Sequence, residues 1–502
     1  MPVLQKIQIV TQKWFLHLFL LPVFFAISIY TQFAGLTGKT DILIAFLGIM
    51  VALLLTFYLF NLLYKNKKKA ALAATITGIL YLFFGNIKEM LAGSSVFLPI
   101  SHYKILLPLL FVIYTILLYS IGKVKSVNNA TAYLNILLLL YLCIELWNFI
   151  PLSTGKEKNN SLFSHTKTPF PPGNHQDIFF IVADGYPSTT YQQTVLGVSY
   201  NSLDSFLIEK KFFPVAHARS NYNNTAFSMT SVLSMQYVDW MKGINVAKPY
   251  HYNQATTAIK EAAVFKLLER LGYSFYNLSV FDIGKTSSVK REDFLSTTPS
   301  AIIFYNTFWN CIRRDILPEF FPVLRERLIR KQQLNNKEHL SKYKGYNRRI
   351  SDSLLKIAAL PASAPKFIYT HLEMPHFPYF YDSSGKAYPD ELVFGPNMIK
   401  DKERFKNYIA YSNSHISRLL TQILTRTNGE VVIILLSDHG INDLPGSRKE
   451  DAFSNYSAFY FPDGNYSQLY PGMSNVNTFR VVFNKYFGQQ LPLLSDSSIY
   501  IK

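Results

Sequence analysis

The chain has 502 residues, 49% of them hydrophobic and 16% charged, with a formal net charge of +18. That length exceeds one compact core, and the apolar fraction exceeds that of an ordinary soluble enzyme. Residues 1–151 hold 11 Lys, no Arg and three acids, and the positive excess of the remainder contains no Lys/Arg block, which argues against nucleic acid as a partner. The two cysteines, Cys143 and Cys311, lie too far apart in sequence to suggest a disulfide framework or a Cys-rich zinc site. Any metal must therefore be held by Asp, His and hydroxyl ligands.

Five apolar runs of membrane length or nearly so fill the N-terminal third, at 14–34, 42–64, 70–86, 105–121 and 132–151, and the fifth carries Glu145. Lys6, Lys13, Lys65, Lys67, Lys68, Lys69, Lys123 and Lys125 fall on one side of these runs, and Lys39, Lys88 and Lys104 on the other. The positive-inside rule then places the N-terminus in the cytoplasm, and five crossings carry the rest of the chain outside. Gly35-Leu36-Thr37-Gly38-Lys39-Thr40 imitates the end of a P-loop, but Phe33 stands where the first glycine is required, so it is read as a turn.

The organisation expected is a five-helix transmembrane domain at 1–151, a polar Pro- and Asn-rich juxtamembrane linker at 152–176, and an extracytoplasmic catalytic domain at 177–502. In the last of these, four short apolar runs at 178–183, 274–278, 367–370 and 431–436 read as buried strands. They alternate with helix-period stretches such as 262–271 and 409–424. This pattern predicts an α/β domain around a central, largely parallel sheet, with its ligand site beyond the carboxyl ends of the strands. The first run ends in Asp184-Gly185, the third in His371 with His376 five residues on, and the fourth in Ser437-Asp438-His439-Gly440.

Taken alone, Asp184-Gly185 reads equally as a turn or a ligand. A carboxylate and an imidazole on adjacent residues, Asp438 and His439, can both reach a metal if Gly440 lets the backbone turn. His371-Leu372-Glu373-Met374-Pro375-His376 is no metalloprotease helix, because the spacing is wrong and Pro375 breaks the helix. Thr225 opens a segment of helical spacing after Asn221-Tyr222-Asn223-Asn224. It reads either as a helix cap or as a nucleophile at an anion-binding helix end, and the sequence alone leaves both open.

The order strand-Asp184, Thr225-Ala-x-Ser, Pro375-His376-Phe377-Pro378-Tyr379 and Ser437-Asp438-His439-Gly440 resembles the alkaline phosphatase and sulfatase superfamily. More narrowly it is similar to the membrane-anchored branch containing phosphoethanolamine transferases and lipoteichoic acid synthases. The resemblance covers roughly 175–485 and implies Asp184, Thr225, Asp438 and His439 as metal ligands, with Thr225 as nucleophile. It gives His376 the task of holding the transferred group or protonating a leaving alkoxide, and makes His371 a second candidate for that task. No His follows His439, so Arg448 or Lys449 fills the electrostatic role of a further imidazole, or the site holds one metal ion. Thr225 replaces the Cys or Ser of formylglycine sulfatases, which disfavours sulfate ester hydrolysis.

The function expected is a metal-dependent transferase moving a phosphoethanolamine- or phosphoglycerol-type headgroup from a membrane phospholipid to an envelope glycan or lipid, at the outer face of the inner membrane. One divalent ion is expected, zinc ahead of manganese or magnesium for this donor set. The alternatives are a sulfatase-like hydrolase or phosphodiesterase using the same residues, and a non-catalytic membrane scaffold.

Overall fold

The structure is a computed structural model describing residues 12–33, 39–94, 96–154, 175–244, 247, 249–289, 303–317, 343–361, 363–393, 398–441 and 443–501. The turn at 35–38 and most of the expected linker lie outside the described residues. The chain divides into two compact units, one of residues 1–156 and 295–334, the other of 157–294 and 335–502. The sequence reading runs one C-terminal domain from 177 to 502, and the described residues 303–317 fall in the first of these two units.

The first unit contains helices α1 (His17–Phe33), α2 (Lys39–Tyr64), α3 (Lys67–Leu82), α4 (Phe84–Ala92), α5 (Tyr103–Lys123) and α6 (Asn128–Thr154). Three described segments are long and apolar enough to cross a membrane, namely Thr40–Tyr64, Tyr103–Lys123 and Asn128–Trp147. The pair α3 and α4 is bent by 58° and can count as a fourth, while His17–Gln32 is apolar but shorter. Leu47, Leu55, Leu59, Leu62 and Leu63 of α2 are all exposed, an outward apolar surface suited to hydrocarbon rather than water. The acid in the fifth run is satisfied from α1: Glu145 accepts from Thr31 Oγ1 at 2.9 Å and from Ser28 Oγ at 3.4 Å. Ile303 joins the same apolar core, and Gly85 N–H donates to the Asn306 carbonyl at 2.8 Å.

The second unit is built on a six-stranded sheet, β1 (Asp177–Ala183), β2 (Phe213–Pro214), β3 (Ser274–Leu278), β4 (Lys366–Leu372), β5 (Val431–Leu436) and β6 (Ser457–Tyr460), in the order β2-β6-β5-β1-β4-β3. The four strands read from the sequence are the parallel ones. The two it missed, β2 and β6, add antiparallel at one edge. The central strands are apolar on both faces because both are covered. Ile178, Phe180 and Val182 of β1, Phe367 and Tyr369 of β4, and Val432, Ile434 and Leu436 of β5 share a core with Met229, Val232 and Leu233 of α7 (Thr225–Ser234). Phe179, Ile181 and Ala183, with Ile368, Ile433 and Leu435, pack on the other side against Phe405, Tyr408, Ile409 and Ile416 of α8 (Lys402–Arg426). At about 1.5–3 kcal/mol for each fully buried large side chain, these two cores fix the register that delivers the strand ends.

Candidate metal centre

Strand periodicity decides which face the polar residues take. In the parallel ladders Val182 lies opposite His371 on β4 and Leu436 on β5. Two residues past Val182 is Asp184, and two past Leu436 is Asp438, so period-2 alternation carries Asp184, His371 and Asp438 onto the face covered by α7. That helix begins at Thr225, with Asn224 as its cap accepting from Ala226 N–H at 3.1 Å.

These residues meet. His439 Nε2 lies 3.3 Å from Thr225 Oγ1, 3.4 Å from Asp438 Oδ2 and 3.9 Å from Asp184 Oδ1. Ligand atoms of Asp184, Asp438 and His439 all fall within 4.8 Å of one another. His371 Nε2 lies 3.4 Å from Asp184 Oδ2 and is fully buried. Nδ1 of His439 is 2.7 Å from the Gly440 carbonyl, an acceptor only, so Nδ1 carries the proton and Nε2 presents its lone pair to the cluster.

Two buried carboxylate oxygens in the cluster have no hydrogen-bond partner, Asp184 Oδ1 and Asp438 Oδ2. Unsatisfied buried polar atoms are rare and each costs about 1–3 kcal/mol, so their convergence argues for a cation between them. The spacing fits as well. Four ligands about 2.0–2.1 Å from a tetrahedral ion lie about 3.3–3.4 Å apart, and two of the three distances from His439 are of that size.

The electrostatics agree in sign. Burial works to raise the Asp184 carboxyl, but the charges of His376, His371 and His439 outweigh it and hold the group well below the usual carboxylate range. Burial likewise opposes charging His439, and the Asp438 and Asp184 carboxylates overcome it, raising its pKa. The Asp184 carboxylate therefore stays ionised at neutral pH.

The scaffold holds main chain as much as side chains. Gly185 takes φ +63°, and its N–H donates to Asp438 Oδ1 at 2.9 Å, so Asp184-Gly185 is both a turn and part of the cluster. At Gly440 the requirement is close approach rather than a turn. A Cβ there would sit 2.2 Å from the Asp451 carbonyl oxygen and 2.7 Å from that of Ser454. Ser228 Oγ donates to the Asp438 carbonyl at 2.5 Å, which gives the Thr-Ala-x-Ser spacing a physical reason, since the serine one turn on ties the helix that begins at Thr225 to the 437–440 loop. Asn455 and Asn475 donate to the Ser437 carbonyl at 2.7 and 3.0 Å. Neither was singled out in the sequence, where a loop asparagine reads only as a turn former.

His376 is exposed, and its Nδ1 is 2.6 Å from the Phe377 carbonyl, which leaves Nε2 available to a substrate. Its ring borders the cluster: Cδ2 lies 3.7 Å from where a Gly185 Cβ would be. Arg448 is not brought in. Its side chain is 77% exposed and pairs with Asp451 at 3.2 Å, because the 448–454 backbone packs against Gly440 and directs the guanidinium outward. Lys449 lies over the Tyr500 ring at 4.3 Å.

Among solved structures the chain is similar to the C-terminal periplasmic domain of EcEptC from Escherichia coli, at 11% identity and a TM-score of 0.38, covering 66% of this chain and 92% of that one. It is similar over 96% of each chain to the integral membrane protein lipooligosaccharide phosphoethanolamine transferase A from Neisseria meningitidis, at 13% identity and a TM-score of 0.37. The phosphonate monoester hydrolase of Agrobacterium radiobacter matches at 12% identity and a TM-score of 0.39, over 63% of this chain and 74% of that one. Among curated proteins none matches. The Sulfatase family model matches residues 181–484, a span that runs from the last turns of β1 through α7, β4 and β5 and takes in the whole cluster. With more than half of its length inside that match, the chain belongs to the sulfatase family.

Proposed function

We propose that this protein is a metal-dependent phospho-headgroup transferase of the outer face of the inner membrane. It moves a phosphoethanolamine- or phosphoglycerol-type group from a membrane phospholipid to an envelope glycan or lipid through a phosphorylated Thr225. The observation that carries the reading is Thr225 Oγ1 at the first residue of a helix, 3.3 Å from His439 Nε2 beside two carboxylates with unpartnered oxygens. The N-terminus lies in the cytoplasm, the apolar helices form five spans, and the sulfatase-like unit is extracytoplasmic, as the lysine distribution directs.

Asp184, Asp438, His439 and Thr225 would hold the ion, and the His439 imidazole puts zinc ahead of manganese or magnesium, which oxygen donors alone would suit. A bound divalent cation supplies charge neutralisation on phosphate and a lowered pKa for a neighbouring hydroxyl. Thr225 reacts as the alkoxide, its proton having gone to solvent: Oγ attacks phosphorus, and the bond from phosphorus to the diacylglycerol oxygen breaks. His376 Nε2 gives that oxygen its proton. In the second step the acceptor hydroxyl returns a proton to His376 and attacks phosphorus, and the bond to Thr225 breaks. Two in-line displacements retain configuration at phosphorus. The exposed position of His376 suits a group that must meet two successive substrates.

Mass spectrometry of the Thr225 peptide from protein purified out of native membranes, with metal assayed on the same sample, tests the reading. An adduct on Thr225 is expected, with one divalent ion per chain, and its mass names the headgroup. Unmodified Thr225 with stoichiometric metal replaces the transferase by a hydrolase in which water is the acceptor. Absence of metal, with full cellular function of Thr225→Ala, replaces both by a non-catalytic scaffold.

A further inference from the structure

The helix that begins at Thr225 cannot by its own hydrogen bonds fix where Thr225 points. Its first internal bond is Ser228 N–H to the Asn224 carbonyl at 2.9 Å, and the turn before that has the Asn224 cap. The direction of the entering chain is set by what holds residues 220–224, and much of that hold comes from residues 497–501. These run parallel to it, with Tyr222 bridged to Ile499. Ile499 N–H donates to the Asn221 carbonyl at 2.8 Å, Asn221 Nδ2 to the Ser497 carbonyl at 2.9 Å, and Ser498 Oγ to the Ser220 carbonyl at 2.8 Å. Asn223 pairs with both peptide groups of Ile501, its Nδ2 donating to the carbonyl at 2.9 Å and its Oδ1 accepting from the N–H at 2.8 Å.

The contact continues past Thr225. The Ile501 side chain, 4% exposed, packs in one cluster with Tyr222, Ala226 and Phe227. Thr225 is thus gripped on both sides, through Asn223 two residues before it and through Ala226 and Phe227 just after. Asp496 is anchored independently, its Oδ1 accepting from Ser474 N–H at 2.7 Å, so residues 497–501 form a separable element.

We propose that residues 497–501 are a positioning strap for the nucleophile, with Asn223 and Ile501 as positioning residues that hold Thr225 Oγ1 at the metal cluster while touching neither substrate nor metal. The proposal rests on Thr225 being the nucleophile. A displacement of about 1 Å from reactive geometry can cost about 100-fold in rate, and the strap acts on that coordinate. It acts chiefly on kcat, since three of the four residues that would hold the ion, Asp184, Asp438 and His439, stand outside its grip.

The test uses the full-length protein in detergent and bis(p-nitrophenyl) phosphate as the probe. A chain ended at Asp496 is expected to keep its metal content and a KM within about twofold, to lose about 100-fold in kcat, and to regain activity when a synthetic peptide of residues 497–502 is added. Asn223→Ala, which removes two of the bonds without shortening the chain, is expected to lose about tenfold in kcat. It is also expected to speed amide hydrogen exchange at 224–228 while leaving β1 and β5 protected. If the shortened chain fails to fold, the Asn223→Ala exchange pattern decides alone. Unchanged exchange at 224–228 together with wild-type kcat overturns the strap. Thr225→Ala run alongside separates the two failures: an active Thr225→Ala sinks the nucleophile, whereas an inactive one beside a fully active Asn223→Ala sinks only the strap.

Discussion

Asp204 and the pair Asp184 and Asp438 are carboxylates of the same α/β unit, and they differ in what their oxygens meet. Asp204 has both oxygens occupied, by the Thr189 hydroxyl at 2.7 Å and by the Tyr456 hydroxyl. Next to it Tyr186, Asn201 and Asn413 bond to one another, with Tyr186 OH donating to Asn413 Oδ1 at 2.6 Å and Asn413 Nδ2 to Asn201 Oδ1 at 3.0 Å. At the sheet rim, Asp184 and Asp438 each keep one buried oxygen with no hydrogen-bond partner, and these oxygens lie 3.9 and 3.4 Å from His439 Nε2. A polar group that the fold needs for itself is satisfied by the fold. What sets the rim pair apart from other unpartnered buried atoms, such as Gln192 Oε1 and Asn455 Oδ1, is convergence on one imidazole, an arrangement that a cation would satisfy.

Replacing Asp184 by Asn should give the largest separation between the two regions. Turnover is expected to fall by at least about 10³-fold and bound metal to below about a tenth of wild type, because a neutral amide is a poor ligand. Chelator is expected to lower the melting temperature of the wild type and to leave that of the variant unchanged, because binding the ion stabilises the wild type alone. Thermal denaturation with and without chelator reads both halves. A drop in metal-free stability comparable to that of an ordinary buried-network mutation would mean that Asp184 is structural and would dissolve the contrast.

Asp204→Ala should behave the other way round. It strands the Thr189 and Tyr456 hydroxyls, for an expected loss of about 2–3 kcal/mol in unfolding free energy, with metal content and turnover of the folded protein within about twofold of wild type. Denaturant titration and a metal assay on the same preparation check it. Loss of metal in this variant would show that the Asp204 network sets the geometry of the Asp184 loop through Tyr186, two residues along.

What the sequence disclosed of this arrangement follows from the range of the interactions involved. The four parallel strands were legible because both their faces are buried, so 178–183 and 431–436 read as unbroken apolar runs whose ends mark the rim. Asp184, Asp438 and His439 were legible because they stand at those ends. The edge strands were not, since β2 has only two residues and takes its order from pairing Phe213 with Phe459 across the sheet. Asn455 and Asn475 could not be distinguished from turn formers, as their function is a contact with a carbonyl some 20 to 40 residues away. The grouping of 303–317 with the N-terminal helices depends on contacts such as that between Gly85 and Asn306, which no local pattern announces. Arg448 was put forward for its charge, and its pairing with Asp451 is a local backbone matter that composition does not reveal.

The smallest effect expected concerns two histidines of this unit, and it sharpens the same contrast. His439 faces carboxylates and is raised. His415, on α8, is lowered to about 4, first by burial and then by the charge of Arg418, with Asp352 opposing both, and its Nε2 shares a 2.8 Å hydrogen bond with Ser351 Oγ. Because its folded-state pKa lies below its ordinary value of 6.5, the unfolded chain binds the proton first as pH falls. The stabilisation from a neutral His415 is therefore complete above about pH 6.5 and is lost progressively toward pH 4, amounting to about 2 kcal/mol by pH 5. His415→Gln, which offers Ser351 an uncharged amide, should flatten the pH dependence of unfolding over that interval while leaving turnover at neutral pH unchanged. Guanidinium titrations of the two proteins at pH 7.5 and 5.0 give the comparison directly. An equal slope in both would remove His415 as the cause of the acid sensitivity of this unit.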